Sequence, residues 1–135
     1  MKRYTFIAAL FIAFNSFAQD AAVFEGPVNG PKISFVEEKF EFGDIVQGTV
    51  VEHVFEFTNT GTAPLILQDV RTTCGCTVPV WPREPIPAGE KSKLTVKFNS
   101  TGKVGVQNKV ITILSNAVNQ SSRVMIVTNV TPKPS

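Results

Sequence analysis

Apolar and polar residues alternate along several stretches of the chain, which is the pattern of half-buried β-strands. In Val50–Thr58 one side carries His53, Phe55 and Phe57, and the other carries two glutamates and a threonine. In Ser92–Phe98 leucine, valine and phenylalanine alternate with lysine and threonine. We therefore predict that both stretches are strands with one face turned towards a core.

The same pattern continues along the chain after Lys32 and predicts about seven strands, separated by turns rich in Gly, Pro and Asn. Valine and threonine, which favour strands, make up 30 of the 117 residues from position 19 onward. These features predict an all-β fold, an immunoglobulin-like β-sandwich of about seven antiparallel strands, with an up-and-down barrel as the alternative. The predicted strands are Ile33–Val36 with Lys39–Phe42 as one broken edge strand, Val50–Thr58, Leu65–Arg71, Cys76–Val80, Ser92–Phe98, Val106–Leu114 and Ser122–Val130.

The first 18 residues have a different character. Lysine and arginine at positions 2 and 3 precede an apolar run of ten residues, Thr5–Phe14, and small residues follow at Ser16 and Ala18. This is the pattern of a secretory signal peptide, and the run is too short to span a bilayer. A short buried N-terminal helix is the alternative. We predict cleavage after Ala18.

This assignment divides the chain into three parts: a signal peptide (1–18), an N-terminal arm (19–31) and an immunoglobulin-like β-sandwich domain (32–135). The first cysteine after the apolar run is Cys74, so a lipid anchor of the bacterial lipoprotein type has no attachment point. We expect an exported protein, in the periplasm or outside the cell, with no membrane anchor after removal of the signal.

The positive charge of the chain belongs largely to that leader. The whole sequence has 13 Lys and Arg against 11 Asp and Glu, and two of the basic residues lie in positions 1–18. The remaining 117 residues carry 11 of each sign and are formally neutral. A nucleic-acid partner is not expected, because it would need a basic surface.

The motif Cys74-Gly75-Cys76 contains both cysteines of the chain and is the clearest candidate for a reactive site. In an extended segment residues i and i+2 face the same side, so the two sulfurs are close enough to pair. Three interpretations remain open: a structural disulfide, a thiol pair active in redox exchange, or a soft-metal site that also uses His53, for which copper(I) is the first metal to test. For His53, an ordinary position at the edge of the core is the alternative.

Conventional enzyme chemistry is not expected. The sequence has one histidine, no G-x-S-x-G motif and no phosphate-binding glycine-rich loop. We assign no catalytic residue and no cofactor.

The run from Phe42 to Asn116 resembles a known family. Its landmarks are Phe42-Gly-Asp-Ile45, His53-Val-Phe-Glu-Phe-Thr-Asn-Thr-Gly61, Cys74-Gly-Cys-Thr77, Trp81-Pro82, Pro87-Ala-Gly89 and Ser115-Asn116. This pattern resembles short exported bacterial proteins that are classed as a domain of unknown function. That family is similar to hydin-like, major-sperm-protein-like and PapD-like immunoglobulin sandwiches. The family has no established activity, and relatives of this fold mostly bind proteins or present surfaces. The resemblance implies Cys74 and Cys76 as the signature pair and no catalytic role for them.

Two functional hypotheses follow. The first is a non-enzymatic module that binds an unknown protein partner by pairing at a sheet edge, for which Ile33–Phe42 and Ser122–Val130 are the candidate strands. The second is thiol–disulfide or soft-metal handling at Cys74 and Cys76.

Overall fold

The structure, a computed structural model, describes residues 29–135 and contains eight β-strands. The signal peptide and most of the N-terminal arm predicted from the sequence lie outside the described residues. The strands are β1 (Ile33–Phe35), β2 (Lys39–Val46), β3 (Val50–Asn59), β4 (Leu67–Thr72), β5 (Thr77–Val80), β6 (Lys91–Asn99), β7 (Gly105–Ser115) and β8 (Ser121–Thr131).

The strands form two four-stranded sheets that pack face to face, which confirms the predicted β-sandwich. The first sheet has the order β1-β3-β6-β5 and the second has the order β2-β8-β7-β4. Two details differ from the sequence-based prediction. There are eight strands, and the pairing of β2 with β8 is parallel while every other pairing in the two sheets of residues 29–135 is antiparallel.

The prediction of one broken edge strand near the start of the domain was wrong. β1 pairs with β3 in the first sheet, whereas β2 pairs with β8 in the second. The chain leaves the first sheet after Val36, whose N–H donates to the carbonyl of Glu56 at 3.0 Å. It joins the second sheet where the N–H of Met125 donates to the carbonyl of Glu38 at 2.8 Å. The two glutamates between β1 and β2, Glu37 and Glu38, thus lie where the chain crosses from one sheet to the other.

The core lies between the inward faces of the two sheets, as the alternation predicts. Phe55, Phe57 and Phe98 are fully buried, and Lys109 extends inward with its Nζ 5.9 Å from the centre of the Phe98 ring. Burial of apolar side chains such as these three phenylalanines is the main stabilising contribution to such a fold. The other fully or almost fully buried apolar residues of the described chain include Leu65, Leu94, Val96, Ile111, Ile113, Val124, Ile126 and Val130.

β8 is a central strand, so the expectation that Ser122–Val130 forms a sheet edge was wrong over most of its length. β7 pairs with β8 from Ser121 to Val130, and β2 pairs with it from Met125 to Thr131. The four residues before Met125 have a partner on one side only. Across residues 29–135, no helix has the length and apolar character needed to cross a membrane.

The junction before β1 is held by one buried side chain, Asn59 at the end of β3. Its Oδ1 accepts the N–H groups of Lys32 and Gly61 at 3.3 and 3.0 Å, and its Nδ2 donates to the carbonyls of Ala63 and Ile86 at 2.8 and 2.9 Å. Asn59 has no exposed surface. It therefore joins the start of β1 to two loops through four hydrogen bonds.

Candidate binding cleft and cysteine loop

Both edges of the second sheet carry features that oppose pairing with another strand. β2 has a register shift between Glu41 and Gly43, and Gly43 has a φ of 75°, a left-handed conformation that glycine adopts readily. Lys39 and Glu41 form an ion pair on the same strand at 3.1 Å. Bulges and charged side chains are common protections of an edge strand.

The opposite edge, β4, has a register shift between Leu67 and Asp69 and an ion pair in which Arg71 Nε donates to Asp69 Oδ2 at 2.8 Å. This hydrogen bond lowers the pKa of Asp69 below its ordinary value. In the first sheet, edge strand β5 contains Pro79, which lacks an N–H for a further ladder. Three of the four edge strands are thus protected.

The remaining edge, β1, borders a cleft of about 620 Å³ at the point where the chain crosses between the sheets. On its other side lie the first residues of β8, which have no strand beside them because β2 begins its pairing only at Met125. The cleft is lined by Ile33, Ser34, Phe35, Glu38, Asn119, Ser121, Ser122 and Arg123.

Main-chain groups of both strands point into this cleft. In the antiparallel pair of β1 and β3, Val36 bonds to β3, so the alternation turns the N–H and C=O of Phe35 the other way. The N–H of Met125 donates to the carbonyl of Glu38, on the side of β2. The same alternation turns the N–H and C=O of Ser121 and Arg123 to that side, where β2 has not yet begun. The cleft therefore presents hydrogen-bonding groups from two strand segments that each have a partner strand on one side only.

Asn119 occupies one part of this edge. Its side-chain Oδ1 accepts the N–H of Ile33 at 3.2 Å and its Nδ2 donates to the carbonyl of Ile33 at 2.8 Å, as a neighbouring strand would. At the same end Val118 N–H donates to the carbonyl of Pro31 at 2.9 Å, which ties the last residues of the predicted arm to the sandwich. The open main-chain groups of β1 are those of Phe35.

His53, a residue proposed from the sequence for metal binding, lies inside an aromatic cluster. Its ring stacks on Phe40 with centroids 3.6 Å apart and meets Phe55 edge-on at 4.7 Å. Its Nε2 is hydrogen-bonded to the Glu37 carboxylate, and 17% of its side chain is exposed. These contacts attach the crossing segment between β1 and β2 to the central strand β3.

Cys74 and Cys76 lie in the short loop between β4 and β5 and are joined by a disulfide, with Cα atoms 5.2 Å apart. The N–H of Cys76 donates to Cys74 Sγ at 3.1 Å. Thr72 Oγ1 donates to the carbonyl of Cys74 at 3.0 Å, and Thr77 N–H donates to the same carbonyl at 3.2 Å. The loop thus closes between the ends of two strands that belong to different sheets.

The structure does not bring His53 together with the two cysteines. Among residues 29–135, no group of three or more His, Cys, Asp or Glu side chains is arranged to hold a metal ion. Trp81, which follows β5, packs against the core from the rim and has the Arg83 guanidinium carbon 3.7 Å from its ring centroid.

The serines of the cleft and Asn119 were missed by sequence reasoning as binding residues. In the sequence, Asn119-Gln-Ser-Ser122 is typical of a turn, and no periodicity reveals that β2 begins its pairing four residues into β8. The position of the cleft depends on the register between β2 and β8, which are far apart in the chain.

The two packed sheets define the protein as an immunoglobulin-like β-sandwich, with open main-chain groups at one end. The chain belongs to the family described as protein of unknown function (DUF1573), whose model matches residues 33–130. This confirms the family resemblance inferred from the landmark residues. The sequence matches no curated protein.

Solved structures show the same fold at low sequence identity. A protein of unknown function from Porphyromonas gingivalis W83 is 18% identical with a TM-score of 0.66, over 77% of this chain and 49% of that one. The PapD-like domain 7 of human CEP192 is 11% identical with a TM-score of 0.63, over 81% and 94%. The E. coli chaperone DraB is 11% identical with a TM-score of 0.51, over 79% and 57%. The chain thus spans about half the length of the P. gingivalis protein.

Proposed function

We propose that the protein is an exported, non-enzymatic module that binds an extended peptide segment of another protein in the cleft between β1 and the start of β8. The observation that carries this proposal is a cleft of about 620 Å³ between two strand segments that each have one open edge, Phe35 on one side and Ser121–Val124 on the other. An added strand would gain main-chain hydrogen bonds from either segment.

The character of the lining supports a peptide ligand. Ser34, Ser121 and Ser122 are small and uncharged, and they share the lining with Glu38 and Arg123. The other edges carry bulges, ion pairs or a proline. Small polar residues leave room for a main chain to approach. The likeness to a chaperone, DraB, is compatible with a protein ligand, and export rests on the signal-peptide pattern of residues 1–18.

The proposal is tested with a displayed library of random peptides, selected on the chain from Gln19 onward. Peptides that bind are titrated into ¹⁵N-labelled protein, and we expect the largest amide shifts at Phe35 and Arg123. Ser122→Trp fills the cleft and should weaken binding at least tenfold. Thr101→Trp, in the exposed turn that follows the opposite end of β6, is the matched control. Shifts confined to other strands, or equal affinity of both variants, would contradict the proposal.

Thiol–disulfide exchange at the cysteine loop is a second candidate function. The observation that favours it is the hydrogen bond that the N–H of Cys76 donates to Cys74 Sγ. After reduction of the disulfide, such a hydrogen bond would stabilise the thiolate of Cys74. A thiolate from a partner dithiol would attack Cys76 Sγ and form a mixed disulfide, while the S–S bond breaks and its electron pair leaves on Cys74.

Redox titration against a dithiol buffer tests this second function. Exchange predicts a reduction potential above about −250 mV, in the range of oxidising exchange proteins. Reduction at a lower potential assigns the disulfide a structural role. Metal analysis of the reduced protein tests the copper alternative in the same experiment.

A further inference from the structure

The outward faces of the two sheets differ in chemistry. On the first sheet, half of the residues that the central strands β3 and β6 turn outward are charged. The charged residues on this face are Glu52, Glu56, Lys91, Lys93 and Lys97. Glu52 and Lys97 pair across the strands at 3.6 Å. Such a face is well solvated by itself.

The central strands of the second sheet, β7 and β8, turn five apolar side chains and one charged side chain outward. The five apolar side chains, here called the outer patch, are Val106, Val110, Leu114, Met125 and Val127. Val110 lies directly opposite Met125 across the two strands, and Val106 is 68% exposed. Arg123 is the one charged residue that β7 and β8 turn outward.

A notch of about 210 Å³ adjoins the outer patch beside the bulge of β2. It is lined by Glu41 and Asp44 together with Val106, Val127 and Asn129. Asp44 lies opposite Asn129 in the register and accepts a hydrogen bond from its Nδ2 at 3.0 Å. The notch is therefore acidic at one wall and apolar at the other.

Arg123 and the notch lie on opposite sides of the outer patch. Arg123 and Asn129 are each three residues from Ile126 along β8, about 10 Å in an extended strand. Arg123 forms no ion pair with any other residue of the described part. The face thus carries an unpaired cation, an apolar centre and an acidic notch in a line.

We propose that a second copy of this chain covers the outer patch, with the two β8 strands antiparallel and a two-fold axis passing near Ile126. This symmetry places Arg123 of each copy over the notch of the other, next to Glu41 and Asp44. The apolar centres meet between the two ion pairs. The face is self-complementary, as a two-fold interface requires.

The available area predicts a weak dimer. Four strands about 4.8 Å apart and about eight residues long give a face of roughly 500 Å² on each copy. The total of about 1,000 Å² is at the low end for specific interfaces. We therefore expect association in the micromolar to millimolar range of protein concentration.

Sedimentation velocity on the chain from Gln19 onward, over that concentration range, tests the proposal. The unmodified chain should pass from monomer to dimer. Arg123→Glu and Asp44→Lys each place like charges at both notches and should weaken dimerisation at least tenfold. Val110→Glu, away from the peptide cleft, should do the same. Lys93→Glu on the outer face of the first sheet is the matched control and should leave dimerisation unchanged.

The decisive sample is an equimolar mixture of the Arg123→Glu and Asp44→Lys chains. In the heterodimer both notches again hold opposite charges, so the mixture should associate although each variant alone does not. Circular dichroism checks that each variant is folded, and a chain carrying both substitutions should recover the homodimer if one does not fold alone. A chain that stays monomeric at every concentration, or a mixture and double variant that both fail to associate, overturns the proposal.

Discussion

Replacement of Asn59 by alanine tests whether one buried amide holds the junction at the start of the domain. The substitution removes four hydrogen bonds, those to Lys32, Gly61, Ala63 and Ile86. A typical bond contributes about 1 kcal/mol net, and an unpaired buried group costs about 1–3 kcal/mol. The carbonyl of Ile86 keeps a second donor, the N–H of Leu65 at 2.8 Å, which reduces the loss.

We therefore expect Asn59→Ala to lower the free energy of unfolding by about 2–4 kcal/mol, which corresponds to a fall in Tm of roughly 10–20 °C. Urea unfolding followed by the fluorescence of Trp81, the single tryptophan of the chain, measures it. Asn108→Ala, an exposed position on β7, is the control. A change below about 0.5 kcal/mol at Asn59, the range of ordinary surface substitutions, would refute the role of this side chain.

A charged variant of the same position adds a dependence on pH. Asn59→Asp keeps the shape of the side chain but buries a carboxyl group, and burial raises the pKa of that group. The unfolded chain then releases the proton at a lower pH than the folded one does, so stability falls as the pH rises. Unfolding midpoints that do not depend on pH would show that water reaches this site.

Two further predictions concern the neighbourhood of the same junction and the edge of the second sheet. Gly61→Ala should cost about 1–3 kcal/mol, because a Cβ there would meet the main-chain oxygen of Gly30 at 2.1 Å; Gly75→Ala, with nothing within 4 Å, is the control in the same urea series. The pair of Asp69 and Arg71 should stabilise the fold at neutral pH and lose this effect as the pH falls through the lowered pKa of Asp69. The effect should be small and disappear in Asp69→Asn and at high salt, because both side chains are solvent-exposed.

Much of the fold could be predicted from the sequence because a strand with one buried face has an apolar side chain at every second residue. The alternation shows both where the strand lies and which of its faces is buried. The stretch around Phe55 and Phe57, and that around Val96 and Phe98, were placed almost to the residue, with the expected faces buried. Local alternation does not say which sheet a strand joins. The crossing after Val36 therefore could not be predicted from the sequence.

The same limit applies to the candidate site. The Cys74–Cys76 pair has a local signature, and the disulfide is present in the structure. The cleft depends on the register of β2 against β8, which joins residues 86 positions apart, such as Lys39 and Met125. The roles of Asn119 and the neighbouring serines follow from that register and from no pattern in their own segment.

The parallel pairing of β2 with β8 has a consequence for the order in which the chain folds. The contacts of β2 are with the last strand of the sandwich, so the second sheet cannot be completed until the C-terminal residues are free to dock. Closing a loop of this length before its contacts form is entropically costly and slows folding. We expect folding in milliseconds to seconds, and a chain that emerges N-terminus first would hold β2 without a partner until β8 has emerged.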